Sequence, residues 1–201
     1  MKAKPNKASR LRKFNNGLSI VVFIVGLYLI VWPFLPKLDF WWKSITHSNP
    51  PLVTAVNKTT KANNEAIPAD NTLVIPSLHL QQTIYEGLPY VSLSKGVWHS
   101  PRSSTPDKGS NTVIAGHRFT YRGFERGAST FYNLDKLKNG DQIVVYWKHI
   151  RYNYRVSNTL IVAPTQISIE NPTSQSQLTL YTCTPLWTSL QRLVVQASLV
   201  K

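Results

Sequence analysis

Cysteine and acidic residues are the scarce residue types in this chain of 201 residues, with one cysteine and nine Asp or Glu. A single cysteine, Cys183, excludes an internal disulfide. It also excludes zinc sites that are built from several thiolates or from a Cys/His cluster. The five histidines are scattered and form no HExxH pattern: His47, His79, His99, His117 and His149. The composition therefore offers no recognisable zinc site.

The shortage of acids leaves a formal net charge of +14, from 23 basic and nine acidic residues. Six basic residues precede the first apolar stretch without any acid: Lys2, Lys4, Lys7, Arg10, Arg12 and Lys13. The other 17 basic residues (23 less these six) still exceed the nine acids by eight. Such an excess favours anionic surroundings, such as lipid headgroups or an acidic cell-wall polymer. Nucleic acid is a poorer candidate, because no Lys/Arg-rich helix, zinc spacing or RNP-like motif accompanies the charge.

An uncharged and almost wholly apolar stretch runs from Leu18 to Leu35. As a helix it would span about 27 Å, near the hydrocarbon thickness of a bilayer. Trp32, Trp41 and Trp42 lie at its far end, where interfacial aromatic residues are common. A cleaved signal peptide is the alternative, but no small-residue cleavage site follows closely. We expect an uncleaved membrane anchor, with the basic N-terminus in the cytoplasm and the rest of the chain outside the cell membrane.

These patterns divide the chain into four parts. Residues 1–16 are predicted as a cytoplasmic basic tail, 17–36 as a single transmembrane anchor, 37–70 as a linker and 71–201 as the extracellular domain. Within the linker, residues 43–70 are rich in Asn, Thr, Lys, Ala and Pro, a composition that is typical of segments without a packed core.

The extracellular domain contains about eight short strand-like runs separated by Gly, Pro and Asn turns. Residues 142–147 and 151–156 are predicted to form a hairpin, residues 160–163 a further strand, and Thr130 to Leu137 a short helix. Many short strands with one or two helical turns indicate a mainly β fold, a closed or nearly closed barrel.

Cys183 ends one of these runs, which begins at Leu178 and is stopped by a Thr-Pro pair. In the alternation of a strand, Cys183 shares a face with Thr179 and Tyr181. A lone cysteine with a histidine elsewhere in the chain is the pattern of a candidate nucleophile. The alternative is a buried cysteine that acts as a small apolar residue.

Two further side chains complete a candidate site for thiol chemistry on a carbonyl. His117 follows Gly116 at the end of an apolar run, where glycine allows the backbone to bend. Arg192 opens the strand after the cysteine, so it could lie beside Cys183 across the connection. Such chemistry needs a thiolate, a proton donor for the leaving amine and donors for the oxyanion. His99 and His149 are predicted to be solvated, and the alternatives for His117 and Arg192 are a turn histidine and a surface charge.

The domain resembles the sortases, a family of cysteine transpeptidases, over residues 73 to 200. The segment Thr-Leu-Tyr-Thr-Cys with a following arginine carries the resemblance most specifically, and Ala-Gly-His supports it. The matching segments are residues 73–76, 86–87, 109–118, 131–141 and 178–185, with Arg192.

The resemblance implies a closed eight-stranded sortase-type β-barrel with short helices, preceded by the N-terminal transmembrane helix. Family members cleave an LPxTG-like sorting motif between Thr and Gly. Cys183 would form a thioacyl enzyme, which a peptidoglycan-precursor or pilin amine resolves, while His117 transfers the protons and Arg192 holds the oxyanion or the substrate backbone. Three more positions are expected to contact substrate: Thr182, Ala115 and Gly116.

The resemblance leaves the sortase subclass open. Thr-Cys-Thr-Pro is similar to pilin-polymerising members, but residues 43–70 show no Asp-Pro-aromatic lid and no apolar stretch follows the barrel, so we favour a protein-anchoring or general-purpose type. Calcium-dependent members use clustered acids, which are absent, so we expect neither a metal nor a cofactor. One alternative is a non-catalytic, membrane-tethered barrel that binds an anionic cell-wall polymer, and another is a hydrolase in which water resolves the acyl enzyme.

Overall fold

The structure is a computed structural model that describes residues 7–32, 35, 38, 42, 67–120 and 125–200. Its first element is helix α1, Lys7–Val31. Within it, Leu11–Val31 forms a stretch of 21 residues with a mean hydropathy of 2.1, long and apolar enough to cross a membrane, and none of this stretch is buried. Most of the predicted linker, residues 37–70, lies outside the described residues.

Eight strands form a closed barrel, which confirms the mainly β fold expected from the sequence. The strands are β1 (Thr72–Ile75), β2 (Leu80–Tyr85), β3 (Val97–His99), β4 (Asn111–Ala115), β5 (Gln142–Trp147), β6 (Ile150–Val162), β7 (Gln177–Thr184) and β8 (Gln191–Leu199). Their order around the barrel is β1, β2, β3, β4, β7, β8, β6 and β5, and β5 closes on β1.

The pairing of β4, β7 and β8 decides where the candidate site lies. Strands β4 and β7 run parallel, with Ala115 opposite Tyr181. Both strands therefore end at the same rim of the barrel, and the residues that follow β4 lie beside the end of β7. Strand β8 is antiparallel to β7, so it begins at this rim.

The core fills the barrel with apolar side chains from all eight strands. Trp147, Tyr154 and Phe131 are the largest of the fully buried ones. In β7, Leu178 and Leu180 are fully buried. Burial of one such leucine contributes about 1.5–3 kcal/mol. Tyr181 and Cys183, on the other face of the strand, are only half-buried, as the alternation predicts.

Short helices and one long strand depart from the sequence prediction. Helix α2 (Pro89–Lys95) was not expected, because its Tyr, Val and Ser residues are not strong helix formers. The helix predicted over Thr130 to Leu137 is reduced to a 3-10 turn, Leu134–Lys136. The strands predicted at 151–156 and 160–163 are one strand, β6, with an irregularity between Val156 and Asn158.

Candidate active site

Cys183 and Arg192 lie directly opposite each other on β7 and β8. Both side chains are half-buried. The Nη1 of Arg192 donates hydrogen bonds to the carbonyl oxygens of Ser189 and Gln191, each at 3.1 Å. Its Nε and Nη2 make no hydrogen bond to any residue that the structure describes, so these donors are available to a ligand beside the sulfur.

His117 reaches the same rim because it is the second residue after β4. Its carbonyl oxygen accepts a hydrogen bond from the Phe131 backbone nitrogen at 2.9 Å. On the other side, the Gly116 nitrogen donates to the Tyr181 carbonyl oxygen at 3.2 Å, which extends the contact between β4 and β7 by one residue. The segment that carries His117 is therefore held between β7 and the connection from β4 to β5.

A groove of about 340 Å³ joins these residues. The groove is lined by all six residues that the sequence analysis assigned to catalysis or substrate contact: Cys183, His117, Arg192, Thr182, Ala115 and Gly116. The rest of the lining is mainly apolar, with Pro89 and Leu93 from α2 and Ile167 and Ile169 from the connection between β6 and β7. A groove with mainly apolar walls and a few polar groups is the usual form of a ligand site.

Gly116 is required by close packing. A Cβ atom at this position would lie 2.6 Å from Cδ2 of the fully buried Phe131 ring. The sequence suggested glycine for its freedom to bend, whereas the structure shows that any larger residue would displace Phe131 or the backbone next to His117.

Thr182, the residue before the nucleophile candidate, is buried. Its Oγ1 donates a hydrogen bond to the Gly116 carbonyl oxygen at 2.8 Å. Thr182 therefore connects the cysteine strand to the histidine segment, and its hydroxyl is already engaged within the protein. Its predicted contact with substrate stays a prediction.

A sequence model of the sortase domain matches residues 73–200, nearly the whole barrel. The chain belongs to the sortase family. Among curated sortases, sortase D of Bacillus subtilis is 30% identical over 136 residues, which are 64% of this chain and 64% of that protein. The chain therefore spans slightly less than two thirds of the length of this relative.

Solved sortase structures share the barrel. Sortase A of Corynebacterium diphtheriae, in a lid mutant, superposes with a TM-score of 0.60 at 29% identity, covering 67% of this chain and 71% of that one. Sortase E1 of Streptomyces coelicolor, solved with a tripeptide in its active site, gives 0.57 at 30% identity, with coverages of 66% and 88%. These relatives confirm the resemblance found from the sequence.

A hydrogen-bonded cluster around the half-buried Glu170 forms one wall of the groove in this sortase and was not predicted. The Oε2 of Glu170 lies 3.0 Å from Nη2 of Arg102 and accepts a hydrogen bond from Ser100 Oγ at 3.1 Å. Its Oε1 accepts from the Tyr181 hydroxyl at 3.4 Å. Burial, and then the negative charge of Glu170, raise the pKa of Tyr181 to about 12 against the opposing effect of Arg192 and Arg102. Tyr181 is therefore a neutral hydrogen-bond donor on β7, two residues before Cys183 and on the same face of the strand.

Glu170 was not found from the sequence, because its hydrogen-bonding and ion-pair partners come from other parts of the chain. It ends a 3-10 helix, Ile167–Glu170, in the connection between β6 and β7. The signal that could have found it is an acid directly after the run Ile-Ser-Ile, in a chain that has few acids.

His99 contradicts the sequence prediction, since it is buried rather than solvated, with 3% of its surface exposed. Its Nε2 lies 2.9 Å from the Ser104 carbonyl oxygen, and its ring centroid lies 5.1 Å from that of Trp147. The prediction was wrong because it placed His99 in the loop that begins at Ser100, whereas His99 is the last residue of β3. His149 is exposed, as predicted.

Proposed function

We propose that this sortase is a membrane-anchored cysteine transpeptidase. It cleaves an LPxTG-like sorting motif between Thr and Gly and transfers the acyl group to a cell-wall or pilin amine. The observation that carries the proposal is the meeting of Cys183, His117 and Arg192 in one groove, with Cys183 and Arg192 directly opposite each other. Membership of the sortase family supports the same chemistry.

Acylation begins with the sulfur of Cys183, as thiolate, attacking the threonine carbonyl carbon of the motif. A C–S bond forms, and the carbonyl oxygen takes up the negative charge. Arg192 sits across the strand pair from the sulfur with donors available, so it can hydrogen-bond this oxyanion. When the C–N bond breaks, the leaving glycine amine takes a proton from His117, and the acyl group stays on Cys183.

Transfer reverses the roles of the same groups. The incoming amine attacks the thioester carbonyl, and His117 accepts the proton that the amine loses. The C–S bond then breaks and returns the thiolate. The apolar walls of the groove suit the Leu and Pro positions of the motif, and Thr182, Ala115 and Gly116 are proposed to contact the residues next to the scissile bond.

The placement in the cell follows from the N-terminal segment. We propose that α1 anchors the chain as a single pass, with residues 1–16 in the cytoplasm, 17–36 in the membrane, 37–70 as a linker and 71–201 outside. The apolar stretch from Leu11 to Val31 and the basic residues before Phe14, which no acid accompanies, support this orientation.

Peptide turnover by the full chain in detergent micelles tests the activity. Cys183→Ala is expected to abolish cleavage of a sorting peptide, because the thioacyl bond cannot form. His117→Asn is expected to lower kcat by about 10²- to 10⁴-fold, the usual range for a lost general acid–base. His149→Asn is the matched control, since His149 is exposed and has a φ of 63° that asparagine adopts readily. Unchanged turnover in Cys183→Ala would refute the proposal.

A further inference from the structure

The segment that carries His117 is joined to β7 at three points around Cys183. The Gly116 nitrogen bonds the Tyr181 carbonyl, and the Gly116 carbonyl accepts from Thr182 Oγ1. The third point lies beyond the cysteine, where Nη1 of Arg118 donates to Thr184 Oγ1 at 2.8 Å. The residue after the histidine is thus bonded to the residue after the cysteine.

Arg118 is held from a second direction by Asp135. Its Nη2 lies 3.1 Å from Oδ1 of Asp135, and only 12% of the arginine side chain is exposed. A guanidinium is a rigid planar fork, so two fixed acceptors on different segments determine both its position and its orientation. Asp135 belongs to the 3-10 turn between β4 and β5, which packs on the barrel through the fully buried Leu134.

Arg118 differs from the two arginines that line the groove. Arg102 and Arg192 border the cavity, whereas Arg118 is not among the described residues that line it. An arginine that lies outside the groove lining and is mostly shielded from solvent is poorly placed to bind substrate. Its bond to Thr184 instead bridges two segments whose relative position sets the separation of the imidazole from the sulfur.

We propose that Arg118 is a positioning residue that sets the separation between His117 and Cys183, with Thr184 as its acceptor and Asp135 as its anchor. The inference rests on the proposed function, in which His117 transfers protons to and from groups at the sulfur. Proton transfer requires hydrogen-bond reach, and a displacement of about 1 Å at a catalytic group can cost about 10²-fold in rate.

Kinetics of the full chain in micelles test this role with Arg118→Lys, Thr184→Val and the double variant. Lysine keeps the charge but cannot bond two acceptors in a fixed plane, and valine keeps the shape of threonine without its acceptor. Each single variant is expected to lower kcat about 10- to 100-fold with KM little changed. The double variant is expected to lose no more than Arg118→Lys alone, because both changes remove one contact. Arg155→Lys is the control, since Arg155 is exposed and bonds the Gly140 carbonyl.

A second readout does not require peptide cleavage. The alkylation rate of Cys183 against pH is measured for the unmodified chain, for His117→Asn and for Arg118→Lys, with the thermal unfolding midpoint of each. The pH profile of alkylation in Arg118→Lys is expected to move toward the profile of His117→Asn. The thermal unfolding midpoint of Arg118→Lys is expected to stay close to that of Arg155→Lys. A profile unchanged from that of the unmodified chain, additive losses in the double variant, or a kcat loss that follows the unfolded fraction would overturn the positioning role. If the unmodified chain cleaves no sorting peptide, the proposed function fails, and the alkylation profile still decides the role of Arg118.

Discussion

Cys183 and Arg192 are opposite partners at the closed end of the β7–β8 pair, one residue from the end of the first strand and one from the start of the second. Antiparallel pairing brings their backbones close. The two Nη1 hydrogen bonds hold the Arg192 guanidinium against the carbonyl oxygens of Ser189, in the connection between the strands, and of Gln191, the first residue of β8. The arginine is therefore positioned before substrate arrives, as a donor to a developing oxyanion needs to be.

Arg192→Ala is expected to lower kcat by about 10²- to 10³-fold, the usual cost of one lost oxyanion donor. Arg192→Lys is expected to recover only part of the loss, because an ammonium cannot both bond the strand connection and direct further donors at the oxyanion. Single-turnover acylation of the full chain measures both variants, with Arg155→Lys as the control. An acylation rate equal to that of the unmodified chain in Arg192→Ala would remove the arginine from the chemistry.

Glu170 is predicted to fix the position of the groove wall formed by the connection between β6 and β7, against which substrate binds. Glu170→Gln keeps the size of the side chain but removes the ion pair with Arg102, so the connection between β6 and β7 is less firmly fixed. KM for the sorting peptide is expected to rise with kcat nearly unchanged, since ground-state and transition-state binding are lost equally. Asp107→Asn breaks another ion pair, with Lys148, outside the groove, and is expected to leave KM unchanged. A kcat loss without a KM change would contradict this assignment.

The local signals of the sequence were enough to locate most of the strands and to nominate three candidate catalytic residues. The alternation from Leu178 to Cys183 and its Thr-Pro end are visible in eight residues, and the barrel then follows from the number of short strands. Arg192 could be predicted because only a short connection separates it from the cysteine.

Other features depend on contacts between distant segments and were missed for that reason. His99 is buried by its packing on Trp147, and the need for Gly116 comes from the Phe131 ring. Arg118 stood next to the histidine in the matched segment, but its partner Thr184 lies 66 residues further along. Nothing in the residues around Arg118 indicates such a partner.

Tyr181 supplies a pH-dependent prediction. Its pKa is raised from 10.0 to about 12, so in the folded protein the phenol keeps its proton when an unfolded tyrosine would lose it. The stability that this provides is complete below about pH 10 and is lost as the pH rises toward 12. Tyrosinate absorbance is measured during an alkaline titration. In Tyr181→Phe, the number of tyrosines that ionise at the high end of the titration is expected to be one lower than in the unmodified chain. Glu170→Gln is expected to lower the pKa of Tyr181, and a titration curve unaffected by both variants would contradict the placement.

Membrane anchoring is predicted to depend on the apolar surface of α1. The double variant Ile20→Arg and Ile24→Arg places two charges in the apolar stretch, at about 2.5–3.5 kcal/mol each near the centre of a spanning helix. The chain is then expected to move from the membrane pellet to the supernatant after alkaline extraction of cells. Ile150→Arg with Ile161→Arg is the matched control, because both isoleucines are exposed on the barrel. Retention of the α1 variant in the pellet would argue against a spanning anchor.

The central claim is that Cys183 becomes acylated by a sorting peptide, and intact-mass spectrometry of the full chain measures this directly. The unmodified chain, mixed with an LPxTG-like peptide in the absence of amine, is expected to gain the mass of the peptide up to its threonine, on Cys183, and to lose it when an amine is added. Arg192→Ala should accumulate the adduct more slowly. An unmodified chain that stays at its original mass while it binds anionic polymer in a salt-sensitive way would contradict the account.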